Sequence, residues 1–416
     1  MIVNGKRELC YVVKIDNIQS IEGSDNCECA VIGGWHVMVK KDTFKIGDIA
    51  IYFEIDSKVP EIEPFKFLEK KHYKIKTQKY TFGGKGRFVS QGLLMSFKDF
   101  PNIFEEDLVS NDGWLYKVKD YDYKIVEIGQ PLTNLLNVKY SVAEDNKRKS
   151  VNDKYKYMVQ RHEKLFKKSK IIKWLYSKKW GKNLLFFFLG NKKDVKKAFW
   201  PDWVVKTDEE RVQNLPNLFP PDDTKWIVTE KIDGSSTTFT MKRKNKKYEF
   251  YVCSRNVCFD TPKKEEKLFY DTNIYTEMAE KYNIKQVLTN ILDLHEELEF
   301  VTLQGETYGK GVQKKEYGIE NHDFAAFNLI LGDKRGARRL NPIEMTNILK
   351  NVYNIPCVPI VDYSFKLPQT IDEMVEYADG KSVLDGSARE GVVLRTIDGV
   401  NSFKAVSNNY LLEKGE

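Results

Sequence analysis

Trp226-Ile-Val-Thr-Glu-Lys-Ile-Asp-Gly-Ser-Ser-Thr-Thr-Phe239 is the stretch from which the fold is read. Apolar and β-branched residues lead in, Asp233-Gly234 supplies a turn, and a second β-rich run leads out. The pattern predicts a hairpin with Lys231 at its mouth, beside the Asp233 carboxylate and a flexible glycine. A lysine so placed becomes a nucleophile if its surroundings lower its pKa from about 10.4. By itself Lys-x-Asp-Gly is equally the sequence of a solvated turn, so the rest of the chain has to decide.

The chain has 416 residues, which is long for a single core and predicts two or three domains. With 41% hydrophobic and 31% charged residues it has the composition of a globular protein. The longest apolar run, Leu184-Leu-Phe-Phe-Phe-Leu189, falls far below the ~20 residues of a membrane span, so no membrane association is expected. No basic-then-apolar leader opens the sequence. Six scattered cysteines, with Cys27-Glu-Cys29 the only close pair, lack zinc spacing and predict reduced thiols in the cytoplasm. The net charge of +7 is uneven: residues 139–199 hold 19 Lys/Arg against 5 Asp/Glu, or +14, leaving −7 elsewhere. A basic block in an otherwise acidic chain suits a polyanion, nucleic acid first, and equally a solvated lysine-rich insertion.

Three domains are expected: 1–135, 136–199 and 200–416. The first reads as short strands. These are Cys10–Ile15, a hairpin over residues 29–39 turning at Gly33-Gly34, Gly47–Ile55, and Phe88–Met95. A small closed barrel of the OB type is predicted, with Lys74, Lys76, Lys79, Lys85, Arg87, Tyr73, Tyr80 and Phe82 as a basic, aromatic surface for a single strand. In the second, Met158, Leu165 and Ile172 recur every seven residues, and Leu175, Tyr176 and Trp180 prolong an apolar stripe read as ordinary packing. Breaks are expected at Gly181 and Gly190-Asn191. In the third, Thr207 and Glu210 form a capping box for a short helix that projects Arg211. Helices near 273–297 and 341–350 interrupt strand-like runs. The class is α+β, an antiparallel-sheet-rich domain behind the barrel.

Five further pieces follow Lys231 in order. Ser254-Arg255-Asn256 places a cation after a strand. Leu303-Gln-Gly-Glu306-Thr-Tyr-Gly309 ends a strand with a carboxylate between glycines. Asp323-Phe-Ala-Ala-Phe327 sets Phe327 on the face opposite Phe324. Arg389-Glu390-Gly391-Val-Val is a strand with a carboxylate, and Ser402-Phe-Lys404 a late strand with a lysine. Together they offer what nucleotidyl transfer needs. Glu306 and Glu390 are hard oxygen ligands for Mg²⁺ or its waters. Phe327 can lie under a purine, and Arg255 and Arg211 can grip phosphates. Lys404 and a metal ion can lower the pKa of Lys231.

In this order Lys231-Ile-Asp-Gly, Ser254-Arg-Asn, Gly305-Glu306-x-x-Gly309, Phe324-Ala-Ala-Phe327, Glu390-Gly-Val-Val and Phe403-Lys404 resemble motifs I, Ia, III, IIIa, IV and V of the covalent nucleotidyltransferases. The run Gly305–Gln313 with Asp323–Phe327 is especially similar to the RNA ligase 2 and RNA-editing ligase branch. The N-terminal part and Lys206-Thr-Asp-Glu-Glu-Arg211 resemble the RNA ligases of Deinococcus and Naegleria type, which carry an OB module ahead of the transferase domain. The resemblance implies an ATP-dependent RNA ligase that uses Mg²⁺ or Mn²⁺. It would join 3′-OH and 5′-phosphate RNA ends, in a nicked duplex, as a monomer.

The same resemblance implies the roles of individual residues. Lys231 would become the lysyl-AMP, with Glu230 at the adenine edge and Phe327 stacked on the base. Arg255 would meet the ribose or phosphates, Glu306 the ribose or metal waters, and Glu390 a metal water. Lys404 would meet the α-phosphate, Arg211 the ATP phosphates, and Asp233 is a further metal candidate. On this reading, removal of 1–135 spares adduct formation and impairs sealing. Two positions depart from the pattern: Val406 replaces a second motif V lysine, and Ser236 replaces an asparagine. The alternatives are a DNA ligase or capping-type transferase, against which only 12 residues follow Lys404, and a non-catalytic nucleic-acid-binding protein.

Overall fold

The computed structural model describes residues 2–3, 6–84, 86–108, 114–119, 126–141, 155, 158–159, 162, 165–166, 169–189, 200–206, 208–244, 247–255, 258–260 and 273–414. They fall into two compact units, one of residues 1–141, 208–233 and 358–416, the other of 142–207 and 234–357.

The elements that matter run in chain order. Early strands are β1 (Cys10–Lys14), β2 (Asn17–Ser20), β3 (Cys27–Ile32), β4 (Trp35–Lys40), β5 (Ile49–Phe53), β6 (Gln78–Phe82), β7 (Gly86–Ser90) and β8 (Leu93–Met95). Helices α1 (Lys170–Ser177) and α2 (Lys179–Leu189) follow. Then come β9 (Lys225–Lys231), β10 (Ser235–Lys244), β11 (Lys247–Ser254), β12 (Cys258–Asp260), α3 (Ile274–Lys281) and α4 (Ile284–Leu294). The chain continues through β13 (Phe300–Gly309), β14 (His322–Asp333), β15 (Gly336–Arg339) and α5 (Pro342–Tyr353). It closes with β16 (Ile360–Lys366), α6 (Ile371–Ala378), β17 (Gly391–Thr396), β18 (Ser402–Val406) and α7 (Asn408–Lys414).

In the first unit, the sheets β8-β5-β1 and β2-β3-β4 close around Tyr11, Ile15, Ile32, Trp35, Val37, Phe44, Tyr52 and Leu94. Alternation on β4 explains this: Trp35, Val37 and Val39 point in, whereas His36 and Met38 lie nearer the surface. The expected turn is present, with Gly33 and Gly34 at φ of 50° and 78°, the left-handed pair a two-residue hairpin needs. Gly34 has a second reason to lack a side chain. A Cβ there would lie 2.4 Å from Ile371 Cγ2 on α6, where the barrel turn meets the rest of the unit.

The same unit holds a four-stranded antiparallel sheet in the order β16-β9-β17-β18. Trp226, Val228, Val392, Leu394, Phe403 and Ala405 pack from it onto Met374, Val375 and Ala378 of α6. The second unit carries six antiparallel strands, β12-β11-β10-β13-β14-β15, over α3, α4 and α5. Its core joins Phe239, Met241, Val301, Leu303, Phe324 and Leu329 to Leu288, Ile291, Met345 and Leu349. The helix expected near 341–350 is α5, whereas the one expected near 273–297 is two helices, α3 and α4, broken at Tyr282-Asn283.

The predicted hairpin at Lys231 does not form. Both edges of β9 are taken, by β16 and β17, and β10 pairs with β11 and β13. Ile232–Gly234 therefore pass the chain from one sheet to another. The expected Asp233-Gly234 turn is only a bend at Gly234, and the partners of β9 lie more than a hundred residues downstream, where periodicity has no reach. Arg211 does not project from a helix either. It is extended (φ −74°, ψ 143°) and precedes a single 3₁₀ turn, Val212–Asn214, while Thr207 lies outside the described residues. Gly181 sits inside α2, and the helix break comes at Lys178. Gly190-Asn191 lies outside the described residues. Among those described, no helix is long and apolar enough to cross a membrane.

Candidate active site

Register along the small sheet collects the chemistry at one end. Lys231 ends β9 opposite Gly391, which opens β17 opposite Val406 of β18. Glu390, one residue before β17, thus meets Lys231: Nζ donates to Glu390 Oε1 at 2.5 Å. Burial pushes the Glu390 carboxyl above the usual range, although Lys231 pulls it back. Glu390 Oε2 is buried and has no protein partner.

Lys404 lies on β18, with Nζ 3.1 Å from Asp208 Oδ1. Its burial lowers the ammonium pKa, against the pull of Asp208 and with the repulsion of Arg211 and Lys231. Asp208 and Arg211 reach this strand as a short parallel bridge, Arg211 beside Lys404, with Lys404 N donating to Glu210 O at 2.8 Å. Arg211 Cζ lies 5.8 Å from the Trp35 ring centroid of the barrel, and its Nη1 is buried without a partner. Behind the nucleophile, Glu230 is buried. Its Oε2 accepts from Val383 N at 2.8 Å, and its Oε1 is left unpaired. Asp233 Oδ2 accepts from Tyr410 Oη at 2.6 Å.

The first unit thus brings together Lys231, Glu390, Lys404, Arg211, Glu230 and Asp233. Glu306, Phe327 and Arg255 belong to the second unit. Glu306 lies on β13, paired with Ser236 and Ala325. A Cβ at Gly234 would lie 2.8 Å from Glu306 Cγ and 2.4 Å from Thr307 O, so only glycine admits this approach. Phe327 is the extra residue of a β-bulge: Gln304 pairs with Asn328 and Gly305 with Ala326, which leaves Phe327 unopposed. Alternation sets Phe327 opposite the core that Phe324 and Ala326 fill, and the bulge returns Leu329 to that core. Arg255 is exposed at the end of β11, and Asn256 lies outside the described residues.

The donor set fits a hard divalent ion. Glu390 Oε2 is a buried, unpartnered carboxylate oxygen. Among the described residues no cluster of three or more His, Cys, Asp or Glu would cage an ion by itself. One or two carboxylates with the remaining positions left to phosphate and water is the arrangement Mg²⁺ prefers.

An RNA ligase family model matches residues 224–406, from β9 to the end of β18, and an OB-fold domain model matches 9–97. Naegleria gruberi RNA ligase superposes over nearly the whole chain. A lysine-to-alanine mutant with ATP and Mn has a TM-score of 0.63 at 25% identity, covering 97% of this chain and 98% of that one. The chain carries an RNA ligase domain behind an OB-fold domain. A glutamate-to-alanine mutant of the Naegleria enzyme with AMP and Mn gives the same TM-score, identity and coverage. The Naegleria enzyme with PPi gives 0.60 at 25% identity, covering 98% of each chain. No curated protein matches the sequence. The OB barrel ahead of a sheet-rich ligase domain is the architecture read from the sequence.

Two residues of the ligase escaped the sequence reading. Asp208, inside a stretch quoted only for its resemblance, is the ion-pair partner of Lys404. Tyr410 lies on α7, which Ser407 anchors by donating N–H to Glu390 O at 2.9 Å and Oγ–H to Asp379 Oδ1 at 2.5 Å. No local pattern marks a tyrosine beyond the last motif. Tyr410→Phe keeps the buried ring and removes the only donor it can offer Asp233. The expected result is about tenfold slower protein–AMP formation with little change in Tm, measured by single-turnover labelling beside a melt.

The barrel contact changes what the OB module is expected to do. Trp35 lies against Arg211, His36 Nε2 is 3.7 Å from Asp372 Oδ1, and Gly34 touches α6. A side chain at Gly34 wedges this contact open and also strains the left-handed turn, so the adduct rate is to be read beside a melting curve. Gly34→Val is therefore expected to slow adduct formation by about tenfold, through lost positioning of Arg211. An unchanged adduct rate with impaired sealing would restore the reading in which the barrel only docks RNA.

Proposed function

We propose that the chain seals 3′-OH and 5′-phosphate RNA ends at nicks in a duplex, with ATP as the nucleotide and Mg²⁺ or Mn²⁺ as the metal. Lys231 Nζ attacks the α-phosphorus of ATP. An N–P bond forms, pyrophosphate leaves, and the nitrogen gives up its proton. A 5′-phosphate oxygen of RNA then displaces the lysine, giving the RNA-adenylate, and Lys231 regains a proton. Last, the 3′-hydroxyl attacks the 5′-phosphorus, loses its proton and releases AMP.

The observation that carries this reading is the Lys231–Glu390 pair at one end of the sheet, with Lys404 on β18 and Arg211 bridged beside it. Glu390 Oε1 orients the nucleophile, and the unpaired Oε2 is the oxygen that would hold a metal-bound water, with Asp233 and Glu306 as further candidates. The metal would supply charge neutralisation at the phosphates. Lys404 and Arg211 supply fixed positive charge where the α-phosphate and leaving group gain negative charge. Glu230 Oε1 is a buried acceptor suited to the exocyclic amine of adenine, a donor that guanine lacks at that place. Arg255, Glu306 and Phe327 keep the ribose, phosphate and base roles that the resemblance implies.

The reading includes an RNA-docking module at 1–135, a basic linker at 136–199 and a transferase at 200–416, working as a monomer in the cytoplasm. Six free cysteines support the cytoplasmic reading. α-Labelled ATP and GTP, each with Mg²⁺, test the proposal on a denaturing gel. An acid-labile adduct from ATP alone, and sealing of a nicked RNA duplex, are expected. An adduct from GTP alone would turn the reading to cap formation, and sealing confined to DNA nicks to a DNA ligase.

A further inference from the structure

Helices α1 and α2 form a hairpin whose inner faces pack well: Leu185 is buried with Met158 and Phe166, against Ile172, Leu175, Tyr176, Phe186 and Leu189. That accounts for Met158 and Ile172 of the seven-residue stripe, whereas Leu165 between them is 47% exposed. It does not account for Ile171, Trp174, Trp180, Leu184, Phe187 and Phe188, all exposed, with Ile171, Phe187 and Phe188 at 72%, 80% and 72%. On α2, positions 180, 184, 187 and 188 are spaced i, i+4, i+7, i+8 and lie on one face. Ile171 and Trp174 are one turn apart on α1. Trp174 and Trp180 touch edge to face, ring centroids 6.1 Å apart, and join the two helices into one apolar surface.

The stretch of sequence that contains the hairpin carries charge of one sign. Residues 164–193 contain ten lysines and neither Asp nor Glu. Lys173 and Lys178 are exposed on the hairpin itself. An apolar face of Trp, Phe, Leu and Ile in a purely cationic stretch of chain is the pattern of a helix lying in a lipid headgroup layer. The α2 helix has 11 residues, hence a length of about 16 Å, roughly half a hydrocarbon core. It is thus suited to lie in the interface, and the sequence reading, which tested only for a span, passed over this possibility. A base-stacking platform needs open ring faces along a cationic track. Here one third of the surface is aliphatic, and Phe187 and Phe188 stand edge to face, as do the two tryptophans.

We propose that the α1–α2 hairpin is a peripheral anchor for an anionic phospholipid surface, with Trp180, Leu184, Phe187 and Phe188 inserted among the acyl chains and the lysines over the headgroups. The anchor would hold the ligase on a membrane without crossing it, and it stands apart from the nucleotide chemistry.

The full-length protein is to be floated with vesicles of phosphatidylcholine alone or with about one-third phosphatidylglycerol. Flotation with the anionic vesicles only is expected, together with quenching of tryptophan fluorescence by brominated acyl chains. Trp180→Ser with Phe187→Ser and Phe188→Ser changes exposed side chains only. It should cut flotation at least about tenfold and leave adduct formation in solution unchanged. Trp174→Phe with Trp180→Phe should keep flotation and lose the quenching. No flotation with anionic vesicles overturns the proposal, as does equal flotation of the triple variant. Two further results would also overturn it. One is a triple variant that still floats normally but loses affinity for nicked RNA duplex, making the face an RNA platform. The other is a dimer that only the triple variant abolishes, in a protein that never floats.

Discussion

Lys231→Ala is expected to leave no protein–AMP adduct, a loss of at least about 10³-fold, because no other group is placed to form the N–P bond. Glu390 Oε1 holds the amine at 2.5 Å, and Lys404, the other lysine nearby, is tied to Asp208. The same variant should still join a nick whose 5′ end already carries AMP, since that step breaks a phosphoanhydride and asks nothing of the lysine nitrogen. Comparing the two substrates separates loss of the nucleophile from loss of the fold. Failure on both with an unchanged melting curve would mean that Lys231 also shapes the RNA end site. Full adduct formation would remove it as nucleophile.

Glu390→Gln is expected to be nearly as severe, about 10²-fold or more in adduct formation. Glutamine keeps an oxygen that can accept from Lys231 but loses the charge of the buried Oε2, the atom suited to a metal-bound water. The pH dependence gives an independent reading. Burial raises the Glu390 carboxyl above the usual carboxylate range. The ionised form is the working one, so activity should rise with pH through that raised value, and the acid limb should lie above pH ~4.3. Glutamine does not titrate, so the limb should vanish from the residual activity. An acid limb that persists unchanged in Glu390→Gln would assign it to another group.

The chemistry was more legible in the sequence than the topology that serves it. Lys231, Glu390 and Lys404 were marked because each is a charged residue at the end of a strand, in a fixed order along the chain. Their convergence comes from register: Lys231 opposite Gly391, and Gly391 opposite Val406. Nothing local to Lys231 specifies that pairing, so the sequence suggested a hairpin where two sheets are joined. Arg211 was placed on the wrong scaffold, since a Thr–Glu spacing resembles a cap whether or not a helix follows. Tyr410 and Asp208 could not be read at all. Each meets its site partner across more than 170 residues of chain. The stripe on the basic segment was half read, because periodicity identifies an apolar face without showing that a helix has two.

The bulge at Phe327 separates two selective pressures that a regular strand would fuse. In an unbroken β-strand, changing the size of one residue disturbs neighbours on its face, and inserting one inverts the rest of the strand. Here the core answers to Phe324 and Ala326, while the unopposed position stands outside their packing. A change of side chain at 327 is therefore not passed on to the packing of Phe324 and Ala326, so the face that carries this ring can be altered separately from the core that folds the sheet.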